Sequence, residues 1–133
     1  MRVLICGDRN WTDRESIDSL LATLPRETTT IIHGNAKGAD RIAGEIAEGY
    51  GMDVEFYPAM WNLYGRAAGP KRNTKMLEEG RPEYIVYYHA DLASSKGTRN
   101  MVNQAREAGL PVLNGLRIRR LSLIHISEPT RPY

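Results

Sequence analysis

The sequence predicts an α/β fold: a Rossmann-like three-layer sandwich, with a parallel five-stranded sheet in the order 3-2-1-4-5 and helices on both faces. One arrangement carries this reading. A short apolar strand, a glycine-bearing polar loop and an amphipathic helix follow one another four times along the chain. Such alternation makes the strands parallel, because each helix carries the chain back to the start of the next strand. It also gathers the four loops at the carboxyl edge of the sheet. A switch point between the first and fourth strands is where ligands bind in sheets of this order.

The elements follow in turn. Arg2–Cys6 is a β-rich run suited to a central strand buried on both faces, and it enters Gly7-Asp8-Arg9-Asn10. Thr12 and Glu15 fit a capping box at the start of the first helix. Ile17, Leu20, Leu21 and Leu24 form its apolar face, and Pro25 ends it. Thr29–His33 is the second strand and runs into Gly34-Asn35-Ala36-Lys37-Gly38-Ala39-Asp40. The second helix presents Ile42, Ala43, Ile46, Ala47 and Tyr50, its alanines allowing close approach to the sheet, and stops at Gly51. Asp53–Tyr57 leads by a longer loop to Ala68-Gly69-Pro70-Lys71-Arg72-Asn73. Pro70 suits the first turn of the third helix, where a missing N–H costs nothing. That helix carries Met76 and Leu77 and stops near Gly80. Tyr84–His89 leads to Ser94-Ser95-Lys96-Gly97-Thr98-Arg99. The fourth helix, from about Thr98 to Ala108, turns Met101, Val102 and Ala105 inward; Gly109 ends it, and Pro111–Leu113 is a short last strand.

Length and composition narrow the class. The 133 residues suit one domain, assigned to residues 1–116, and 41% hydrophobic with 26% charged residues is ordinary for a folded protein. A net charge of +2 is too mild to indicate a polyanion by itself, so the cations matter through where they cluster. The single cysteine, Cys6, excludes an internal disulfide and fits a reducing, cytoplasmic setting. No apolar run approaches the roughly 20 residues of a membrane span, and no signal peptide precedes the first strand, so no membrane partner is expected. Residues 117–133 read as an irregular tail. From Leu121, the stretch Leu-Ser-Leu-Ile-His-Ile-Ser-Glu-Pro-Thr-Arg resembles the in-frame translation of a sequencing adaptor, so His125 and Arg131 are assigned no function.

The loops carry the candidate chemistry. Neither a P-loop nor a Gly-x-Gly-x-x-Gly fingerprint is present, and no motif calls for a cofactor. In the second loop, Gly34 and Gly38 let backbone amides turn toward an anion, Lys37 adds charge, and Asp40 is placed to cap the helix or to accept from a ribose hydroxyl. In the third, Gly69 and Pro70 set a sharp helix start, with Lys71, Arg72 and Asn73 just inside. Cations at a helix N-terminus are locally unfavourable by a few tenths of a kcal/mol each, which points to a ligand. Arg72 is the stronger candidate because its guanidinium grips phosphate at two points. In the fourth, Gly97 permits close approach and Thr98 offers a hydroxyl for a cap or a phosphate. The first loop offers Gly7, Asp8, Arg9 and Asn10. Trp61 and Tyr64 suit base stacking, with core packing the default for a lone Trp. Cys6 suits a small buried hydrophobe, and His33 and His89 lack metal-site spacing.

Together these motifs resemble the SLOG superfamily, and more closely its YspA/cpYpsA-related branch of YAcAr or DUF2493-like domains. The resemblance lies in Gly7-x-Arg9-x-x-x-Asp13, His33-Gly34-x-Ala36-x-Gly38-Ala39-Asp40, Trp61-x-x-Tyr64-Gly65, Ala68-Gly69-Pro70-x-Arg72-Asn73 and Gly97-Thr98-Arg99-x-Met101. It covers Met1 to about Asn114 and implies a domain that binds nucleotides or nucleotide-derived ligands, with a homodimer as the frequent state of relatives. Tyr84, Tyr87 and Tyr88 are then core or interface residues. More distantly, Arg72-Asn73-Thr74-Lys75-Met76 is similar to the Arg-Lys-x-x-Met pattern of the Lonely Guy phosphoribohydrolases, which implies a phosphate or ribose role for Arg72. Their Pro-Gly-Gly-x-Gly-Thr-x-x-Glu pattern is matched only in part: Ser94 and Ser95 replace glycines, and Met101 stands at the glutamate position. A thioether cannot stabilise positive charge on the sugar as a glycosidic bond breaks. Asp40 or Asp91 must then supply the carboxylate.

The leading expectation is therefore a module that binds a nucleotide-derived phosphate ligand through Gly7, Arg9, Gly34, Lys37, Gly38, Asp40, Gly69, Arg72, Asn73, Gly97 and Thr98. The alternative is a nucleoside-phosphate N-glycosidase with Arg72 and Asp40 as catalytic residues. Single-stranded DNA binding ranks last, because the net charge is small and few exposed aromatics are expected.

Overall fold

In the computed structural model, which describes residues 1–118, the sheet has the expected order, β3-β2-β1-β4-β5, with every strand pair parallel. Its strands are β1 (Arg2–Gly7), β2 (Thr30–His33), β3 (Asp53–Phe56), β4 (Tyr84–Tyr88) and β5 (Val112–Asn114). Between them lie α1 (Arg14–Leu21), α2 (Ala39–Gly49), α3 (Trp61–Tyr64), α4 (Ala68–Gly80) and α5 (Gly97–Glu107). The adaptor-like stretch falls within residues 119–133, outside the described residues.

The pleat sorts side chains into two cores. Val3 and Ile5 of β1 point to one face and Leu4 and Cys6 to the other, as the two-residue strand period requires. On the first face they meet Ile17, Leu20 and Leu21 of α1 and Ala39, Ala43 and Ala47 of α2. The three alanines are fully buried, so α2 lies close on the sheet. On the second face Leu4, Cys6, Ile32 and Ile85 meet Met76 of α4 and Met101 and Ala105 of α5. Tyr84 and Tyr88 belong to the first core, while Tyr87 is half-buried against the second. Ile118 also packs against the first core.

Two local readings change. The cap of α1 is Asp13, whose Oδ1 accepts from the Ser16 N–H at 3.2 Å, not a box of Thr12 with Glu15. A carboxylate one residue further on is the better acceptor for that exposed amide. The long third connection is also partly helical. The single turn of α3 and a 3₁₀ turn at Gly65–Ala67 carry the chain into α4, which therefore begins at Ala68.

Candidate functional site

At the carboxyl edge, two loops and two helix starts are tied together by Arg72. Its Nη1 donates to the Gly34 carbonyl at 2.6 Å, and its Nε donates to Asn73 Oδ1 at 2.9 Å. Asn73 is buried, and its Nδ2 donates to the Gly97 carbonyl at 3.3 Å and to Asn100 Oδ1 at 3.1 Å. Gly34 at the exit of β2, the start of α4 and the start of α5 therefore form one hydrogen-bonded unit. A cation in the first turns of α4 is stabilised by a carbonyl 38 residues away, which offsets the unfavourable helix dipole.

Asp40 completes this unit. It is 4% exposed, and its Oδ2 accepts from the N–H groups of Gly34 at 3.0 Å and Ala36 at 3.3 Å. The amides expected to face an anion are thus already turned toward a resident carboxylate. Oδ1 takes no hydrogen bond from the described residues. Burial pushes the Asp40 carboxyl up to about 6, against the opposing pull of Arg72 and the two amide bonds. Burial likewise lowers the Arg72 guanidinium from its usual value, with Asp40 pulling the other way. A Cβ at Gly34 would collide with the Arg72 guanidinium and lie 3.0 Å from Asp40 Oδ2, so glycine is required there for close packing. His33 accepts from the Asn35 N–H through Nδ1 at 2.9 Å, and burial lowers it to about 4, keeping the ring neutral.

The first and second loops meet in a separate, structural contact. Gly38 has φ +89°, and its Cα faces the carbonyls of Asp8 and Arg9 with no room for a side chain. Gly7 is pressed against the Tyr88 carbonyl, and the Asp8 N–H donates to that oxygen at 2.9 Å. The backbones of the first and second loops are therefore packed together beside the switch point between β1 and β4. The Arg9 and Lys37 side chains are exposed and engage none of the described residues in hydrogen bonds. Gly69 is buried without positive φ, and a Cβ there would meet the Trp61 ring at 3.5 Å, an ordinary contact. Gly97 has open space around it. Thr98 is buried, and the capping role expected of it falls to Ser95, whose Oγ accepts from the Thr98 N–H at 3.0 Å. Among the described residues no cluster suits a metal ion.

The open space lies elsewhere on the edge. A cleft of about 670 Å³ runs between the exit of β3 and α4, lined by Phe56, Tyr57, Tyr64, Lys71, Arg72 and Lys75, with Glu79 as its one acid. Lys71 Nζ stands 5.0 Å from the Tyr64 ring centre, a cation–π contact. Sequence reasoning passed over Phe56, Tyr57 and Lys75; the signal was there in a run free of carboxylates from Phe56 to Leu77. It also took core packing as the default for Trp61, which instead stands 59% exposed. Met101 does face inward as expected, and its sulfur lies in the second core at 1% exposure, away from any ligand surface.

Comparison with known proteins fits this architecture. Residues 1–64 match the YspA, cpYpsA-related SLOG family, YAcAr. The chain is 37% identical over 121 residues to the Gene 61 protein of Mycobacterium phage D29, a match spanning 85% of this chain and 94% of that protein. DNA processing protein A (DprA) from Streptococcus pneumoniae shares the fold, with a TM-score of 0.68 over 94% of this chain at 19% identity. This chain spans 56% of the DprA chain. No described helix is long and apolar enough to cross a membrane. With the strand order, the loop motifs and the relative in agreement, the chain belongs to the YspA, cpYpsA-related SLOG family.

Proposed function

We propose that this protein binds a nucleotide or nucleotide-derived phosphate ligand at the carboxyl edge of its sheet, in the cleft between β3 and α4. The observation that carries the reading is the lining of that cleft: three cations and three aromatic rings around a volume of nucleotide size. Arg72 sits at the junction of this cleft with the Gly34–Asp40 unit, so its guanidinium is held in place before a ligand arrives. Phosphate binds along the first two turns of α4, beside Lys71 and Lys75, where their charge attracts it. The base stacks on Tyr64 or Phe56. Gly34, Gly38, Gly7 and Asn73 act by building the edge rather than by touching the ligand. Arg9, Lys37, Gly69, Gly97 and Thr98 lie outside the cleft lining.

The test separates ligand contact from fold. Lys71→Glu with Lys75→Glu is expected to weaken nucleotide binding at least about tenfold, since charge-assisted contacts contribute about 1.5–3 kcal/mol each. The melting temperature stays within about 2 °C, because both side chains are exposed. Equilibrium dialysis against a panel of nucleoside phosphates reads the first, and thermal unfolding the second. Unchanged affinity across the panel would sink the reading.

A hydrolase reading rests on Asp40, the one buried carboxyl at this edge, with Arg72 beside it. Both would be catalytic residues for cleavage of an N-glycosidic bond, Asp40 through its unengaged oxygen. Free base released over long incubation, and lost in Asp40→Asn, decides for it.

A further inference from the structure

The cleft adjoins an apolar ridge that the fold does not use. Met60, Trp61 and Leu63 are 59%, 59% and 67% exposed, and Phe56 and Tyr64 stand 57% and 45% exposed beside them. Met60 lines both the cleft and a second depression of about 400 Å³ that runs from Ala59 to Leu63. An exposed apolar surface of this kind marks an interaction site.

The charge around the ridge indicates its partner. From Phe56 to Leu77 the chain carries four cations, Arg66, Lys71, Arg72 and Lys75, and no carboxylate. Among the described residues the ion pairs are Arg2–Glu55 and Arg14–Glu45, so none of these cations forms a salt bridge; Asp40 acts on Arg72 from behind the cleft, and Glu79 is the one acid in its lining. An apolar protein segment would cover the ridge and leave the cations unanswered. A mononucleotide would fill the cleft and leave Trp61, which is outside the lining, bare. A polymer that alternates flat rings with negative charges satisfies both.

We infer that the ridge and the cleft together bind single-stranded nucleic acid, with bases stacked on Trp61 and its aromatic neighbours and phosphates beside Arg66, Lys71 and Lys75. The inference rests on the reading of the cleft as a nucleotide site and extends it: the ligand runs past the cleft onto the ridge. Such binding depends on salt. With about three phosphates neutralised, a fourfold rise in salt weakens it about twentyfold.

The test uses the full chain, a labelled oligothymidylate of about 15 nucleotides followed by anisotropy, and thymidine monophosphate followed by calorimetry. Trp61→Ala is expected to weaken oligonucleotide binding about tenfold and to leave the mononucleotide affinity unchanged, with Trp61→Phe restoring most of the loss. Oligonucleotide binding no tighter than mononucleotide binding, or insensitive to Trp61, overturns the inference and leaves the nucleotide reading standing. Burial of Trp61 in a concentration-dependent dimer with no oligonucleotide effect also overturns it, in favour of a second copy on the ridge. Failure of both ligands overturns the inference, and the nucleoside-phosphate panel decides the nucleotide reading separately.

Discussion

Gly38→Ala is expected to destabilise the fold by about 3–5 kcal/mol and to remove ligand binding with it. Gly38 holds φ +89° and ψ −130° at the start of α2, a conformation open to glycine and closed to L side chains. Strain alone accounts for about 1–3 kcal/mol. The rest comes from collision, because the new methyl meets the backbone of Asp8 and Arg9, which cannot rotate aside as a side chain can. Moving that loop also strains the Ala39 N–H bond to the Asp8 carbonyl at 3.2 Å. Gly51→Ala is the control. It shares a positive φ, +81°, but has open space around it, so it costs only about 1–2 kcal/mol. Urea unfolding of both variants checks the contrast. Equal losses would show that loop packing adds nothing to backbone strain at Gly38.

Asp40→Asn is expected to gain stability relative to the parent as pH rises. The carboxyl titrates at about 6 in the fold against 3.8 in the unfolded chain, so the native state holds the proton more tightly. Between those values the native protein binds more protons than the unfolded one, and the contribution of Asp40 to stability falls with rising pH. At about 1.4 kcal/mol per pH unit the loss amounts to about 3 kcal/mol, complete above about pH 7. Asparagine has no such titration and keeps an acceptor for the Gly34 N–H. The difference in unfolding free energy between variant and parent is therefore expected to shift by about 2–2.5 kcal/mol in favour of the variant between pH 4 and pH 7. A difference independent of pH would show that Asp40 is solvated or more tightly paired with Arg72 than its burial implies.

The fold was legible because its signals are local. The spacing of Ile17, Leu20, Leu21 and Leu24, and of Ala43 and Ala47, reports which side of each helix is buried, and each lies in the first core. Strand order followed from the alternation of elements. Arg72 and Asp40 were also legible as unusual residues at helix starts. Their partners were not, since the bond from Arg72 to Gly34 spans 38 residues and leaves no periodic trace. Nor could spacing show that Asp40 turns back onto the amides of its own loop and occupies them. Trp61 misled because large aromatics are usually buried, and only the three-dimensional path of α3 shows that its ring is left more than half exposed. The cleft was missed for a related reason. Attention to glycine loops favours the β1–β4 junction, whereas Gly7 and Gly38 serve close backbone packing and the lined cleft lies beside the edge strand β3.

The most direct test of the account is to map the amide resonances of the isotope-labelled full chain while titrating the tightest nucleotide of the panel. Shifts concentrated at Tyr57, Tyr64, Lys71, Arg72 and Lys75 are the predicted result. Shifts centred instead on Arg9, Lys37, Gly97 and Thr98 would place the ligand at the β1–β4 junction and contradict the account.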